Sequence, residues 1–169
     1  MKNKFFLTVL IISLLLFTVN SSAQRREKIA KADSETENFQ REKFDPNRNP
    51  FEDLNKAIKI AEKENKRIIL DVGGEWCIWC HRIDKFLHTD EEIDEFIKNH
   101  YIFVKVNYSR ENKNEKFLSQ YPKIKGYPHF FVLDSDGKFL HSQDTGLLEE
   151  GKSYSKSKVM EFLRKWAKP

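Results

Sequence analysis

Cys77 and Cys80, the only two cysteines in 169 residues, stand three positions apart as Cys77-Ile78-Trp79-Cys80, directly behind the β-branched run 67–72 and Gly73-Gly74. Two cysteines exclude a disulfide-stapled mini-scaffold and a structural zinc site built from four thiolates. Their position says more than their number. A strand closed by glycines and followed by an apolar-periodic segment puts Cys77 at a helix N-terminus. There, unpaired backbone N–H groups and the positive end of the macrodipole stabilise an anion. Such placement lowers a thiol pKa from about 8.5 into a range of about 3.5 to 7.5, so Cys77 reads as a nucleophile at neutral pH. Cys80, Ile83 and Leu87 recur at i, i+3 and i+7, which turns Cys80 toward the core, shielded but able to attack a mixed disulfide formed at Cys77. The plainer alternative is a static bridge, although so small a loop would constrain the unfolded chain little. Asp71, inside Ile-Ile-Leu-Asp-Val, is costly in a buried strand unless neutral or paired, and a carboxyl with a raised pKa suits proton transfer near pH 7. Its alternative is a strand-end carboxylate reaching solvent beside Gly73-Gly74.

The start of the chain reads as an address. Lys2 and Lys4 form a positive end, residues 5–19 an apolar stretch, and Ser21-Ser22-Ala23 a small-residue cleavage site, so residues 1–23 are expected to be a signal peptide. The apolar stretch is shorter than the ~20 residues that cross a bilayer as a helix. Export to a bacterial periplasm is therefore expected, with membrane tethering if the signal is retained, and that compartment permits disulfides. Residues 24–49 are polar and charged, with Ile29, Phe39 and Phe44 too scattered to bury a face, and are expected to form a flexible linker. Residues 50–169 suffice for one domain with its own core. The excess of 30 Lys+Arg over 26 Asp+Glu shrinks once Lys2 and Lys4 are set aside, and the remaining signs are interspersed. No basic face for nucleic acid is supported.

Within the domain, Asn49, Pro50 and Glu52 make a capping box, and Leu54, Ala57, Ile58 and Ala61 give an amphipathic helix ending near Asn65. A buried strand over 67–72 and a helix over 77–87 follow. Thr89 and Glu92 cap the next helix, whose inner stripe is Ile93, Phe96 and Ile97. Residues 101–106 and 129–133 read as strands, 114–121 as a weaker helix, 134–137 as a tight turn, and 138–142 as the returning antiparallel strand. Val159, Phe162, Leu163 and Trp166 mark a last helix. This order predicts an α/β fold in which a mixed sheet is covered by helices on both faces.

Glu75-Trp76-Cys77-Ile78-Trp79-Cys80, Gly126-Tyr127-Pro128 some 50 residues later, and the turn 134–138 together resemble the active site, cis-proline loop and following hairpin of the thioredoxin superfamily. The resemblance spans about residues 51–166 and is nearest to exported thiol:disulfide oxidoreductases. It implies a thioredoxin-like three-layer fold, with Cys77 as attacking thiol, Cys80 as resolving thiol and the redox-active pair in place of a bound cofactor. Pro128 would be cis, leaving the loop open for a substrate strand beside Tyr127. Asp71 matches the family's buried proton-transferring carboxylate, and Lys105 a lysine that often accompanies it. An exposed position on an edge strand is the other reading of Lys105. The family commonly carries Gly-Pro or Pro-His between its cysteines, where this chain has Ile-Trp, so the direction of electron flow is left open, with Asp71 tilting toward a reductase or isomerase. Implied partners are protein or peptide disulfides and an upstream thiol reductant at the membrane, with the chain acting as a monomer.

Trp76 and Trp79, beside an exposed thiol, read either as apolar docking surface for such partners or as ordinary lid aromatics. Together with Arg82 and Lys85, His81 can lie on the solvent side of the helix and favour the Cys77 thiolate. Cys77-x-x-Cys80-His81 also spells the attachment pattern of c-type haem, with His81 as axial ligand. A non-catalytic thioredoxin-like module docking partners at Tyr127-Pro128 is the third class. A metal site is not expected, since His88, His100, His129 and His141 lack ligand spacing and read as surface or hairpin residues.

Overall fold

The computed structural model describes residues 42–169. The expected signal and most of the expected linker lie outside the described residues. Helix α1 (Pro50–Glu64) begins on Asn49, whose side chain accepts from the Phe51 N–H, and ends where Asn65 turns left-handed at φ 55°. Strand β1 (Arg67–Gly73), helices α2 (Ile78–Thr89) and α3 (Glu91–His100), and strand β2 (Tyr101–Asn107) come next. A single turn, α4 (Glu115–Leu118), precedes β3 (His129–Leu133) and β4 (Phe139–Asp144). A 3-10 turn (Thr145–Leu148), a small hairpin of β5 (Glu149–Glu150) and β6 (Ser153–Tyr154), and helix α5 (Lys156–Trp166) complete the order.

The sheet runs β2-β1-β3-β4, with β1 parallel to β2 and antiparallel to β3, and β3 antiparallel to β4. A parallel pair requires a crossover, which α2 and α3 supply. Side chains alternate across the sheet. Ile69, Phe130 and Val132 therefore pack with Ile83 and Leu87 of α2, Ile93 of α3 and Leu163 of α5, while Ile68, Leu70, Val72, Phe131 and Leu133 pack with Ala57 and Ala61 of α1 and Phe117 of α4. This is the expected mixed sheet between helical layers. The same alternation places the site: Asp71 shares the face of Ile69, toward α2, and its partner in the parallel register is Lys105.

Four local expectations differ from what forms. Asp90, not Thr89, caps α3 by accepting from the Ile93 N–H at 3.3 Å, because the Thr89 hydroxyl is already donating to the Lys85 carbonyl within α2. The expected helix 114–121 shortens to one turn: Asn114, left-handed at φ 48°, precedes its first residue, and past Leu118 the backbone tightens to i→i−3 bonds, the Gln120 N–H donating to the Phe117 carbonyl and the Tyr121 N–H to the Leu118 carbonyl. His129 is not a surface residue: it is buried at the start of β3, its Nε2 within 2.8 Å of Ser142 Oγ. Residues 42–49 are not a free linker. Phe44 is only 2% exposed, and the stretch is stitched down by Arg48 Nε donating to Asp53 at 2.8 Å and by Asn112 donating to the Pro46 carbonyl at 2.8 Å. One aromatic suffices to dock a polar segment when a side-chain-free notch awaits it, and Gly73 provides that notch.

Candidate active site

Gly74 and Gly73 close β1 in tight quarters. A Cβ on Gly73 would lie 2.5 Å from Cys80 Sγ and 3.0 Å from Phe44 Cζ, and one on Gly74 would lie 2.4 Å from Trp76 Nε1 and 2.7 Å from the Tyr108 carbonyl oxygen. Only glycine lets the chain turn here with sulfur and aromatic rings so near. Cys77 is the residue that caps α2, with φ −94° and ψ 105°, and its Sγ accepts from the Cys80 N–H at 3.2 Å. The thiol thus fills the place of a capping oxygen, sharing the Cys80 N–H with the Cys77 carbonyl, which accepts from it at 3.1 Å.

Both cysteines are free thiols. The expectation of an exposed Cys77 is corrected: it is 5% exposed and Cys80 is 0% exposed, because Phe44, Trp79 and Tyr127 close around the pair. The two sulfurs are driven apart in acidity. The Cys80 S–H donates to Cys77 and, with the backbone N–H groups of Cys80 and Trp79, outweighs burial to bring the Cys77 pKa down to about 7. Cys80 is pushed far up, first by that same hydrogen bond, then by burial and the nearby Asp71 charge.

Behind Cys80 lies a buried ion cluster. Lys105 Nζ donates to Asp71 Oδ2 at 2.6 Å and also to Asp84 Oδ1, and all three side chains are buried. Lys105 therefore lies on the edge strand β2 but is buried, not exposed. Burial alone would lower its pKa, but the two carboxylates prevail and hold it above the ordinary lysine range. Asp84 was missed in the sequence, although a signal existed: it falls at i+4 from Cys80 on the buried stripe with Ile83 and Leu87. Phe44 was missed as well, and its ring centroid stands 4.6 Å from Lys105 Nζ.

On the outer side, the Tyr127–Pro128 peptide is cis, and the Pro128 carbonyl accepts from the Thr145 hydroxyl at 2.5 Å. Trp76 is 59% exposed, donates its Nε1–H to the Tyr108 carbonyl at 2.7 Å and meets Tyr127 edge-on at 5.7 Å, while Tyr127 stacks on Tyr108 at 4.7 Å. Trp76 and Tyr127 thus form one aromatic rim beside Cys77, with exposed Ile78 next to it. Trp79 turns the other way, edge-on to Tyr154 at 5.7 Å with the Arg82 guanidinium 4.4 Å over its ring. The longer connection at 146–154 therefore braces the cysteine helix through Tyr154. His81 lies within 2.9 Å of the Glu75 carbonyl through Nε2, which ties the turn before Cys77 to the first turn of α2.

Residues 54–154 match the thioredoxin-like domain family. The chain belongs to that family. This thioredoxin-like chain is 27% identical over 99 residues to the disulfide bond reductase DsbH of Chlamydia pneumoniae, covering 53% of the chain and 59% of the relative. It is 25% identical over 92 residues to the thiol:disulfide interchange protein DsbD of Actinobacillus pleuropneumoniae, covering 54% of the chain and 16% of the relative. The chain thus spans less than two thirds of either relative's length. Its fold is similar to a disulphide isomerase from Xylella fastidiosa Temecula1, with TM-score 0.63 and 25% identity over 72% of the chain and 94% of that structure. It is a thioredoxin-like thiol–disulfide oxidoreductase with a Cys-x-x-Cys active-site pair. The haem alternative does not fit this site: thioether bonds need both sulfurs open to a macrocycle, whereas Cys80 Sγ fills the notch at Gly73 beneath Phe44.

Proposed function

We propose that the chain is an exported reductase of protein disulfides, working as a monomer in a bacterial periplasm and recharged by a thiol donor at the membrane. The observation that carries the reading is the division of labour between the sulfurs: Cys77 Sγ caps α2 and accepts from the Cys80 N–H at 3.2 Å while Cys80 is fully buried behind it, in keeping with a Cys77 pKa lowered to about 7 and a Cys80 pKa pushed up. Reducing members of such folds keep the attacking thiol near about 7, whereas strong oxidants depress it to about 3.5, which stabilises their own reduced form. The name of one relative, a disulfide bond reductase, supports the same direction. The sequence pattern of residues 1–23, a positive end, an apolar stretch and small residues before Gln24, supports export.

In this reading the Cys77 thiolate attacks one sulfur of a substrate disulfide. A Cys77–substrate bond forms, and the other substrate sulfur leaves as thiolate. Cys80 then gives its proton to Asp71 and attacks Cys77 Sγ. The mixed disulfide breaks, the second substrate thiolate departs, and the chain is left with a Cys77–Cys80 disulfide after delivering two electrons. Lys105 and Asp84 hold Asp71 in place, His81 supports the thiolate through the turn, and Trp76, Tyr127 and Pro128 shape the docking surface, while Trp79 takes the lid role by packing on the pair and on Tyr154. Reduction of insulin disulfides by the prereduced protein tests this. Turnover is expected for the native chain, none for Cys77→Ser, and a trapped mixed disulfide for Cys80→Ser. Partner binding without turnover by the native chain would instead favour a non-catalytic docking module.

A further inference from the structure

Phe44 lies outside the residues that match the family and inside a stretch whose composition is that of a linker, yet it is held at the centre of the site. Its backbone N–H donates to Glu75 Oε1 at 2.8 Å, two residues before Cys77, and the Pro46 carbonyl accepts from Asn112 at 2.8 Å, so the ring is pinned from the turn before α2 and from the loop after β2. The ring edge and Cys80 Sγ flank the same point above Gly73. Its face covers Lys105 Nζ at 4.6 Å, on an ammonium whose other contacts are the carboxylates of Asp71 and Asp84. A ring packed only for apolar contact would lie against the aliphatic layers. This one lies over a charge and two sulfurs.

We propose that Phe44 is a positioning residue for thiol–disulfide exchange: its ring seals the inner side of the Cys77–Cys80 pair from water and so confines thiolate reactivity to Cys77. While the open groove that Phe44 also lines carries Tyr108, Arg110, Glu111 and Lys113, the ionisable groups around the ring and the pair are Asp71 of β1, Lys105 of β2, and Cys80 and Asp84 of α2, with Glu75 in the turn and Tyr127 packed against the sulfurs. Water admitted there would solvate the Cys80 sulfur and weaken the burial that keeps it a thiol. It would also screen the Lys105 cluster from the pair. Cys80 would then compete as a nucleophile, and the order of attack and resolution would blur.

The inference rests on Cys77 being the attacking thiol, and site-resolved labelling of the reduced full chain with iodoacetamide at neutral pH separates the two claims. The native chain and Phe44→Leu, which keeps an apolar cover, are expected to label at Cys77 alone. Phe44→Ala is expected to raise Cys80 labelling by about tenfold or more, because thiolate character and access together control the rate. Phe44→Val carries the same test with a partial opening should the alanine variant not fold. Leu163→Ala, a core truncation away from the pair, is expected to leave Cys80 unlabelled. Cys77-only labelling in both Phe44→Ala and Phe44→Val, or equal Cys80 labelling in Leu163→Ala, would overturn the role of Phe44. Labelling of Cys80 in preference to Cys77 in the native chain would overturn the assignment of the attacking thiol instead.

Discussion

Lys105 and Asp71, direct neighbours in the parallel β1–β2 register, form a buried ion pair at 2.6 Å on the face of the sheet that meets the cysteine helix. Asp84 reaches the same ammonium from α2, so one lysine ties both strands to the helix that carries the active-site pair. Such clusters hold geometry more than they add stability, and the imbalance left by removing one member is what they guard against.

Replacing Lys105 with Met leaves Asp71 and Asp84 facing each other without a counter-charge. Breaking a buried pair in this way costs about 3–5 kcal/mol. Denaturant unfolding of Lys105→Met should show that loss at neutral pH and a smaller one in acid, where the stranded carboxylates can protonate. A loss that is the same at both values would place the effect in packing alone.

Asp71→Asn keeps the shape of the strand and removes the proton acceptor assigned to Cys80. The attack by Cys77 should be little changed, while resolution slows by about 100-fold, the lower end of what a positioned base contributes. Rapid-quench sampling of a single turnover would then show the Cys77 mixed disulfide accumulating.

Thiolate is the reactive form, so the rate of Cys77 alkylation should be low in acid and rise with pH through a midpoint at about 7. An unperturbed cysteine would rise near about 8.5 instead. Cys80 should contribute no second rise in the neutral range, because its hydrogen bond to Cys77, its burial and the Asp71 charge all push its titration upward.

Much of this site is legible in the sequence because its main signals are local. The strand, two glycines and Cys77 announce a helix N-terminus, and the spacing of Cys80, Ile83 and Leu87 turns the second thiol inward. Lys105 was ambiguous because a lysine between two valines fits an exposed edge as well as a buried pair. What decides it is Asp84, which entered the apolar stripe unnoticed since a carboxylate is ordinarily assigned to the solvent face. The burial of Cys77 was missed for a related reason: the groups that cover it, Phe44 and Tyr127, come from positions 33 before it and 50 after it. A lone aromatic in a charged stretch has no periodicity to reveal its destination. His129 does lie in the expected hairpin, opposite Asp144, but a histidine at a strand end is ordinarily assigned to the surface and this one is buried.

As a reductase, the Cys77–Cys80 couple donates electrons to its substrates. Equilibration of the full chain against glutathione buffers, with the two redox forms separated after acid quenching, measures its reduction potential directly. A reductase with this thiol pair should give a value near about −270 mV, whereas a value near about −120 mV, that of a strong oxidant, would contradict the account.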